Sequence, residues 1–393
     1  MTDRKKIVKD AAKHAEIYRR SLFDDVLPFW INHAVDQEYG GFLTCLDRDG
    51  TVIDTDKGLW QQGRFTWLLA TLYNTVAKKQ EWLDLARHGI NFLDKYGFDS
   101  DGRMFFQVSR SGNPLRKRRY LFSESFAAIA YAAFAKAANS ELHANKAVEL
   151  FDMFLKFNTT KGLIPDKVYS ANRPMKAMGF PMITITTAQI LRDTIQYPSA
   201  NEWIDRAIDE IRKDFLNCDY KAVMEIVGPN GEFIDHFDGR TLNPGHAIEG
   251  AWFILHEAKI RDDDKDLLDL GTTMLDWMWK IGWDEPYGGL FYFRDVKGLP
   301  VQEYWHDMKF WWPHCETIIA TMLAYYLTGD EKYKMWHELV FDYTFTNFPD
   351  KEYGEWFGYL HRDGRLSVPL KGNLWKGPFH IPRMLLYCWQ LLI

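Results

Sequence analysis

The strongest constraint on what this chain can fold into is a motif that occurs three times. Asp36-Gln37-Glu38-Tyr39-Gly40-Gly41-Phe42 recurs as Asp284-Glu285-Pro286-Tyr287-Gly288-Gly289-Leu290-Phe291 and as Asp350-Lys351-Glu352-Tyr353-Gly354-Glu355-Trp356-Phe357. Alternating apolar residues follow each copy and run into a turn: Arg48-Asp49-Gly50, Asp295-Val296-Lys297-Gly298 and Arg362-Asp363-Gly364. Glycine turns flanked by alternating residues read as short hairpins. Weaker hairpins of this kind are expected from Asp101-Gly102-Arg103 to Ser111-Gly112-Asn113 and at Val227-Gly228-Pro229-Asn230-Gly231. Between them the apolar periodicity predicts helices near 3–34, 58–78, 80–96, 121–138, 141–157, 177–196, 200–215, 246–261, 264–281, 309–328, 330–347 and 380–393.

Twelve helices in six pairs describe either an open solenoid or a closed toroid. Neither end carries an obvious polar capping repeat, which favours the toroid. The expected fold is an all-α (α/α)6 barrel, with the helices beginning near 58, 121, 177, 246, 309 and 380 as the inner set. A chain of 393 residues exceeds the usual single core, but a repetitive architecture lets residues 1–393 form one catalytic domain.

Composition removes several function classes. Net charge is −6, and the basic residues form one short run, Arg116-Lys117-Arg118-Arg119, better read as a solvated turn than as a nucleic-acid face. No apolar stretch is long enough for a membrane span, and Met1-Thr2-Asp3-Arg4-Lys5-Lys6 leads into a charged helix rather than a secretory signal. Cys45, Cys218, Cys315 and Cys388 lack CxxC spacing, which points to a reducing, cytoplasmic setting and away from structural zinc. There is no HExxH, no His-x-His and no GxGxxG, so no metal, nicotinamide or flavin is expected. The sixteen tryptophans suit sugar stacking, although most must be core.

The chemistry is expected where the inner helices begin. His246 follows Asn243-Pro244-Gly245, and His380 follows Gly377-Pro378-Phe379, so each opens a helix as the chain leaves a loop. Residues three apart share a helix face, which places Glu249 with His246 and Arg383 with His380. Trp60, Arg64 and Trp67 share a face of the first inner helix, Glu124 opens the second, and Met178 and Met182 open the third. In the fifth, Lys309, Trp312 and Glu316 share a face, whereas His314 lies about 200° away and is expected to pack elsewhere. Arg64 has an alternative reading as a buried structural ion pair, with Glu124 as its partner. Backbone N–H groups and helix dipoles make this end of the barrel suitable for electron-rich ligands.

Those segments resemble the N-acylglucosamine 2-epimerase family, whose animal members include a renin-binding protein. The resemblance covers nearly the whole chain. Gln62-Gly63-Arg64, Phe122-Ser123-Glu124, Asn243-Pro244-Gly245-His246, Lys309 through Glu316 and Phe379-His380-Ile381-Pro382-Arg383 carry it, together with the repeat motifs. It implies an (α/α)6 barrel, a homodimer, an amino-sugar substrate and interconversion of N-acetylglucosamine and N-acetylmannosamine. It also implies His246 and His380 as catalytic residues, with Arg64, Glu316 and Arg383 in support. Some members are stimulated by ATP; the matching stretch, Ala171-Asn172-Arg173-Pro174 to Pro181-Met182, has no phosphate loop.

The implied reaction inverts C2 of the ring-opened sugar. One histidine removes the C2 proton and the other returns a proton to the opposite face. Arg64 and Arg383 are assigned to the oxyanion at O1, Glu249 to orienting His246, and Glu316 to holding His380 or a sugar hydroxyl. Rivals are an aldose–ketose isomerase or 2-epimerase of unmodified sugars such as mannose or cellobiose, an inverting glycosidase built on Glu124, Glu249 and Glu316, and a renin-binding-like protein module.

Overall fold

The computed structural model describes residues 11–165, 169 and 171–393. The N-terminal element is α1 (Ala11–Arg20), a π-helical stretch (Ser21–Val26) and α2 (Leu27–Ala34); residues 3–10 of the helix expected there lie outside the described residues. Then come α3 (Leu59–Thr75), α4 (Gln80–Tyr96), α5 (Phe122–Ala138), α6 (Glu141–Thr159) and α7 (Gly179–Ile195). After α8 (Ala200–Glu210) and the short α9 (Phe237–Arg240) follow α10 (Pro244–Ile260), α11 (Lys265–Gly282), α12 (Trp311–Thr328), α13 (Glu331–Asn347) and α14 (His380–Leu392). The expected pairs are therefore present, apart from α9, which has no counterpart in the periodicity.

Helices α3, α5, α7, α10, α12 and α14 form the inner ring of an (α/α)6 barrel. Burial separates the two sets. Fifteen successive residues of α12, Trp311 to Tyr325, are buried, as are thirteen of α5, Ser123 to Ala135. An outer helix such as α4 buries only a stripe, Trp82, Leu83, Ala86, Gly89, Ile90, Phe92 and Leu93. A helix apolar all round belongs inside, and an amphipathic one covers it. The ring closes between α14 and α3 through Trp67 against Phe379, ring centroids 5.5 Å apart, and Gln390 Nε2 donating to Thr75 Oγ1 at 3.0 Å.

Hairpins pin the ends of the inner helices. Lys57–Gly58, Lys176–Ala177, Thr241–Leu242 and Lys309–Phe310 each form a strand just ahead of an inner helix, and each pairs antiparallel with a later strand. The repeat motif builds one loop three times. Asp36, Asp284 and Asp350 N–H donate to the carbonyls of Gly41, Gly289 and Glu355 at 2.9–3.0 Å. Each aspartate is buried on a lysine: Lys57 at 2.8 Å, Lys309 at 2.9 Å and Lys371 at 2.9 Å. Each also takes an arginine from a neighbouring hairpin, Arg110, Arg362 and Arg48 respectively. Successive loops are thus bolted together around the rim.

Side chains from inner helices hold two of these loops and the Met104 turn. Gln62 Oε1 accepts from Phe42 N–H at 2.8 Å, Glu124 Oε1 from Met104 N–H at 2.8 Å, and His314 Nε2 from Leu290 N–H at 3.0 Å. Gly289 is required there: φ is +72°, and a Cβ would lie 2.8 Å from His314 Nε2. His314 therefore packs away from the barrel axis, as its helical phase predicts. Nδ1 faces the Phe310 carbonyl at 2.6 Å, and burial lowers its pKa to about 3.

Candidate active site

The inner helices open onto a cavity of about 930 Å³ inside the ring. At its wide end lie Trp60, Phe122, Gly179, His246, Trp312 and His380, all in or beside the first turn of an inner helix. One turn further in are Arg64, Phe126, Met182, Glu249 and Arg383. Helical phase has brought these side chains together from separate segments of sequence.

His246 is set by the start of α10. The Asn243 side chain caps the helix by accepting from His246 N–H at 3.2 Å. Gly245 leaves room for Trp312, since a Cβ there would lie 2.7 Å from the indole. The imidazole Nδ1 lies 3.0 Å from Glu225 Oε1, and a third of the side chain is open. Donating Nδ1–H to Glu225 leaves Nε2 free. Burial alone would lower the pKa of His246; Glu225 outweighs it, with Glu249 and Glu316 adding to the effect, and the pKa is raised.

His380 has the opposite electrostatics. Its Nδ1 lies 2.7 Å from Glu316 Oε1, but Arg383 Nη2 is 3.3 Å from the same nitrogen and 2.7 Å from the same carboxylate oxygen. Arg383 also donates to Glu249 Oε1 at 2.6 Å, and Trp252 Nε1 donates to Glu316 Oε2 at 2.8 Å. Both carboxylates near His380 are therefore already engaged by Arg383. Burial first, then Arg383 and Arg64, hold the His380 pKa well below its ordinary value. The Trp312 ring packs against both imidazoles, with centroids 4.9 Å from His246 and 5.8 Å from His380.

Arg64 is buried with no ion-pair partner among the described residues. Its guanidinium lies over Phe126 at 4.0 Å, Phe379 at 4.6 Å and Trp60 at 5.4 Å, and Nε has no hydrogen-bond partner. Burial lowers its pKa to about 9, opposed by Glu249, so the group remains cationic at neutral pH. An uncommitted buried cation aimed into a cavity suits a developing anion.

Three assignments need correction. Glu249 does not orient His246; it pairs with Arg383, and the carboxylate on His246 is that of Glu225. Lys309 lies outside the cavity lining, in the strand before α12, bound to Asp284 and over the Phe291 ring at 4.2 Å. The helical phase invoked for it does not apply, because α12 begins two residues later. Glu124 holds the Met104 loop instead of facing the cavity or Arg64, and burial raises its pKa to about 7.

Sequence reasoning missed Glu225 and Trp252. Trp252 lies three residues beyond Glu249 and was recoverable from phase. Glu225 sits in a loop between Ala222–Val223 and Ile226–Val227 and carries no periodic signal.

Glu249, Glu316 and His380 place ligand atoms within 4.8 Å of one another. The Arg383 guanidinium sits among them, so a cation would have to displace it. The same spacing is shorter than the ~6.5–9.5 Å between the carboxylates of an inverting glycosidase. In the stretch considered for ATP, Lys176 is paired with Glu210 and Asp214, and Arg173 with Asp238. No helix of the described residues is long and apolar enough to cross a membrane.

The barrel is that of the sugar epimerases and isomerases among proteins of known structure. A cellobiose 2-epimerase from Bacillus thermoamylovorans superposes with a TM-score of 0.85 at 22% identity, covering 96% of this chain and 99% of that one. A D-mannose isomerase gives a TM-score of 0.82 at 21% identity, over 96% and 97% of the two chains. The N-acylglucosamine 2-epimerase of Mus musculus is 35% identical over 382 residues, 94% of this chain and 90% of that protein. The family model for N-acylglucosamine 2-epimerase matches residues 41–381. The chain belongs to the N-acylglucosamine 2-epimerase family.

Proposed function

We propose that this chain interconverts N-acetyl-D-glucosamine and N-acetyl-D-mannosamine by moving a proton at C2 of the ring-opened sugar. The observation that carries this reading is the pair His246 and His380, flanking one indole ring, each with Nδ1 on a carboxylate. Opening the ring exposes an aldehyde at C1, which acidifies the C2 proton. In this scheme His380, whose pKa is lowered, is the base that removes that proton; His246, whose pKa Glu225 raises, is the acid that supplies one to the other face. The roles exchange in the reverse direction. Each acid–base group contributes about 10²–10⁴-fold, and Arg64 stabilises the enolate oxygen beyond that. Arg383 holds Glu249 and Glu316, leaving Arg64 as the cation available to O1.

The enzyme is expected to work in the cytoplasm as a homodimer and to need no cofactor for the chemistry, so that any effect of ATP is that of an activator and not of a reactant. Incubating the protein with each sugar in D2O, with and without ATP, tests the reading. The expected products are C2 epimers carrying deuterium at C2. A ketose product would instead favour an aldose–ketose isomerase, and epimerisation without exchange at C2 would exclude the two-base scheme. Light scattering at twice 46.2 kDa checks the dimer.

A further inference from the structure

The cavity is deeper than a hexosamine requires. Helix α7 lines it from Gly179 to Asp193, about 21 Å of helix at 1.5 Å per residue. Helices α10 and α14 continue to line it down to His256 and Gln390, about 15 Å beyond His246 and His380. Helix α12 contributes only Trp311 and Trp312, both at the wide end. Below the histidines the two sides differ. Glu249, Arg383 and the buried Glu316 beside them lie on α10, α14 and α12, with both carboxylates on the one guanidinium. The facing wall, from α5 and α7, is the apolar Phe126, Ile129, Met182, Ile183 and Ile190, with the uncharged Thr186, Thr187 and Gln189 among them. It carries no charged side chain until Asp193 at the far end. His256, also at that depth, is held neutral, with Nδ1 2.7 Å from Tyr387 Oη and burial lowering its pKa to about 4.

An uncharged apolar wall beginning at the level of the reacting carbon does not suit a phosphate, a nucleotide or a second sugar. It suits an alkyl chain. We propose that the lower half of the cavity receives the N-acyl group of the substrate, and that the enzyme accepts 2-acylamido sugars with chains well beyond acetyl. This rests on the epimerase reading of the site. With C2 between the histidines and O1 at Arg64 one turn further in, C3 to C6 run toward the wide mouth. The C2 nitrogen is left beside the α5–α7 wall, so each added methylene lies against Ile129, Ile183 and then Thr186 and Ile190.

The test is a series of N-acetyl-, N-butanoyl-, N-hexanoyl- and N-octanoylglucosamine assayed as C2 epimerisation by the full chain. Burying a methylene in an apolar site tightens binding by roughly threefold to fourfold. KM is therefore expected to fall by about that factor per carbon through hexanoyl, with kcat nearly constant, because the chain is bound equally in ground and transition states. A KM that rises from butanoyl onward while N-acetylglucosamine is turned over would overturn this inference and leave the epimerase reading intact. Failure to turn over N-acetylglucosamine would overturn both. Thr186→Trp narrows the lower half, and within that variant the hexanoyl-to-acetyl ratio of kcat/KM is expected to drop at least tenfold. An unchanged ratio in a variant with a native circular dichroism spectrum would also overturn the inference. The wild-type series decides the question should the variant not fold.

Discussion

Glu225→Gln preserves the shape of a loop side chain and removes the charge lying 3.0 Å from His246 Nδ1. On the proposed scheme, in the direction for which His380 is the base, turnover requires His380 neutral and His246 protonated. The acid limb of a kcat/KM profile follows His380, whose pKa is lowered, and the alkaline limb follows His246, whose pKa is raised. Activity is thus lost as pH falls through the first and as it rises through the second. In Glu225→Gln the alkaline limb is expected to move to lower pH while the acid limb stays, with kcat down about tenfold or more as part of the 10²–10⁴ that an acid supplies. An alkaline limb that does not move would remove Glu225 from the scheme. His246→Gln gives a second check: loss of the C2 proton to D2O by His380 should persist with one epimer, while epimerisation falls to background. Arg64→Met is expected to lower kcat about 10²–10³-fold, the scale of losing one oxyanion contact; a change confined to KM would place Arg64 in ground-state binding.

The residues that sequence reasoning placed well are those whose helical phase fixes them. His246, Glu249 and Arg383 line the cavity because a first-turn residue and its i+3 neighbour must share a face, and Trp312 and Glu316, four apart on α12, lie beside them near His380. Glu124 was misplaced, although the repeat contained the correction. Gln62, Glu124 and His314 each hold the backbone N–H of a preceding loop, so an alignment of the three pairs would have turned Glu124 outward with His314. Lys309 was misplaced because the start of α12 is set by a strand pairing, Lys309 with Leu360, and local periodicity does not report such pairing. Glu225 reaches His246 only through tertiary structure.

At the scale of elements, the three Asp–Lys–Arg bolts hold the loops from which the inner helices start. The Asp284–Lys309 pair is fully buried. Burial lowers the Lys309 pKa to about 8, opposed by Asp284, whereas Lys309 and Arg362 outweigh burial and lower the pKa of Asp284. Removing one partner strands the other charge and costs about 3–5 kcal/mol, while replacing both with apolar residues is often neutral. Asp284→Asn is therefore expected to lose stability on that scale in urea, and Asp284→Leu with Lys309→Met to recover most of it. A single variant as stable as wild type would mean that the bolt contributes little. The sign with pH follows from the carboxylates. Asp36, Asp284 and Asp350 all have lowered pKa values, so their contribution is present above about pH 4, the unfolded aspartate value, and is lost as pH falls through the folded ones.

Over the whole molecule, periodicity made the ring of helix pairs legible before any coordinates, because a repeat of helix and hairpin has few ways to bury its apolar faces. The way the ring closes was not legible. Arg48 meets Asp350 across 302 positions of sequence, and α14 meets α3 through a few ring contacts and one hydrogen bond, with α1 packed against α14 from outside. A ring closed in this way has a seam, and the seam carries chemistry, since α14 bears both His380 and Arg383. Loosening α14 would dismantle the proton-transfer pair while the other inner helices stay assembled. Mild denaturant is therefore expected to abolish turnover before far-UV ellipticity changes, with early hydrogen exchange confined to α1 and α14; coincident transitions would contradict it. The weakest joint of the barrel would then act as its fuse, switching the enzyme off under stress well before the chain is exposed to aggregation.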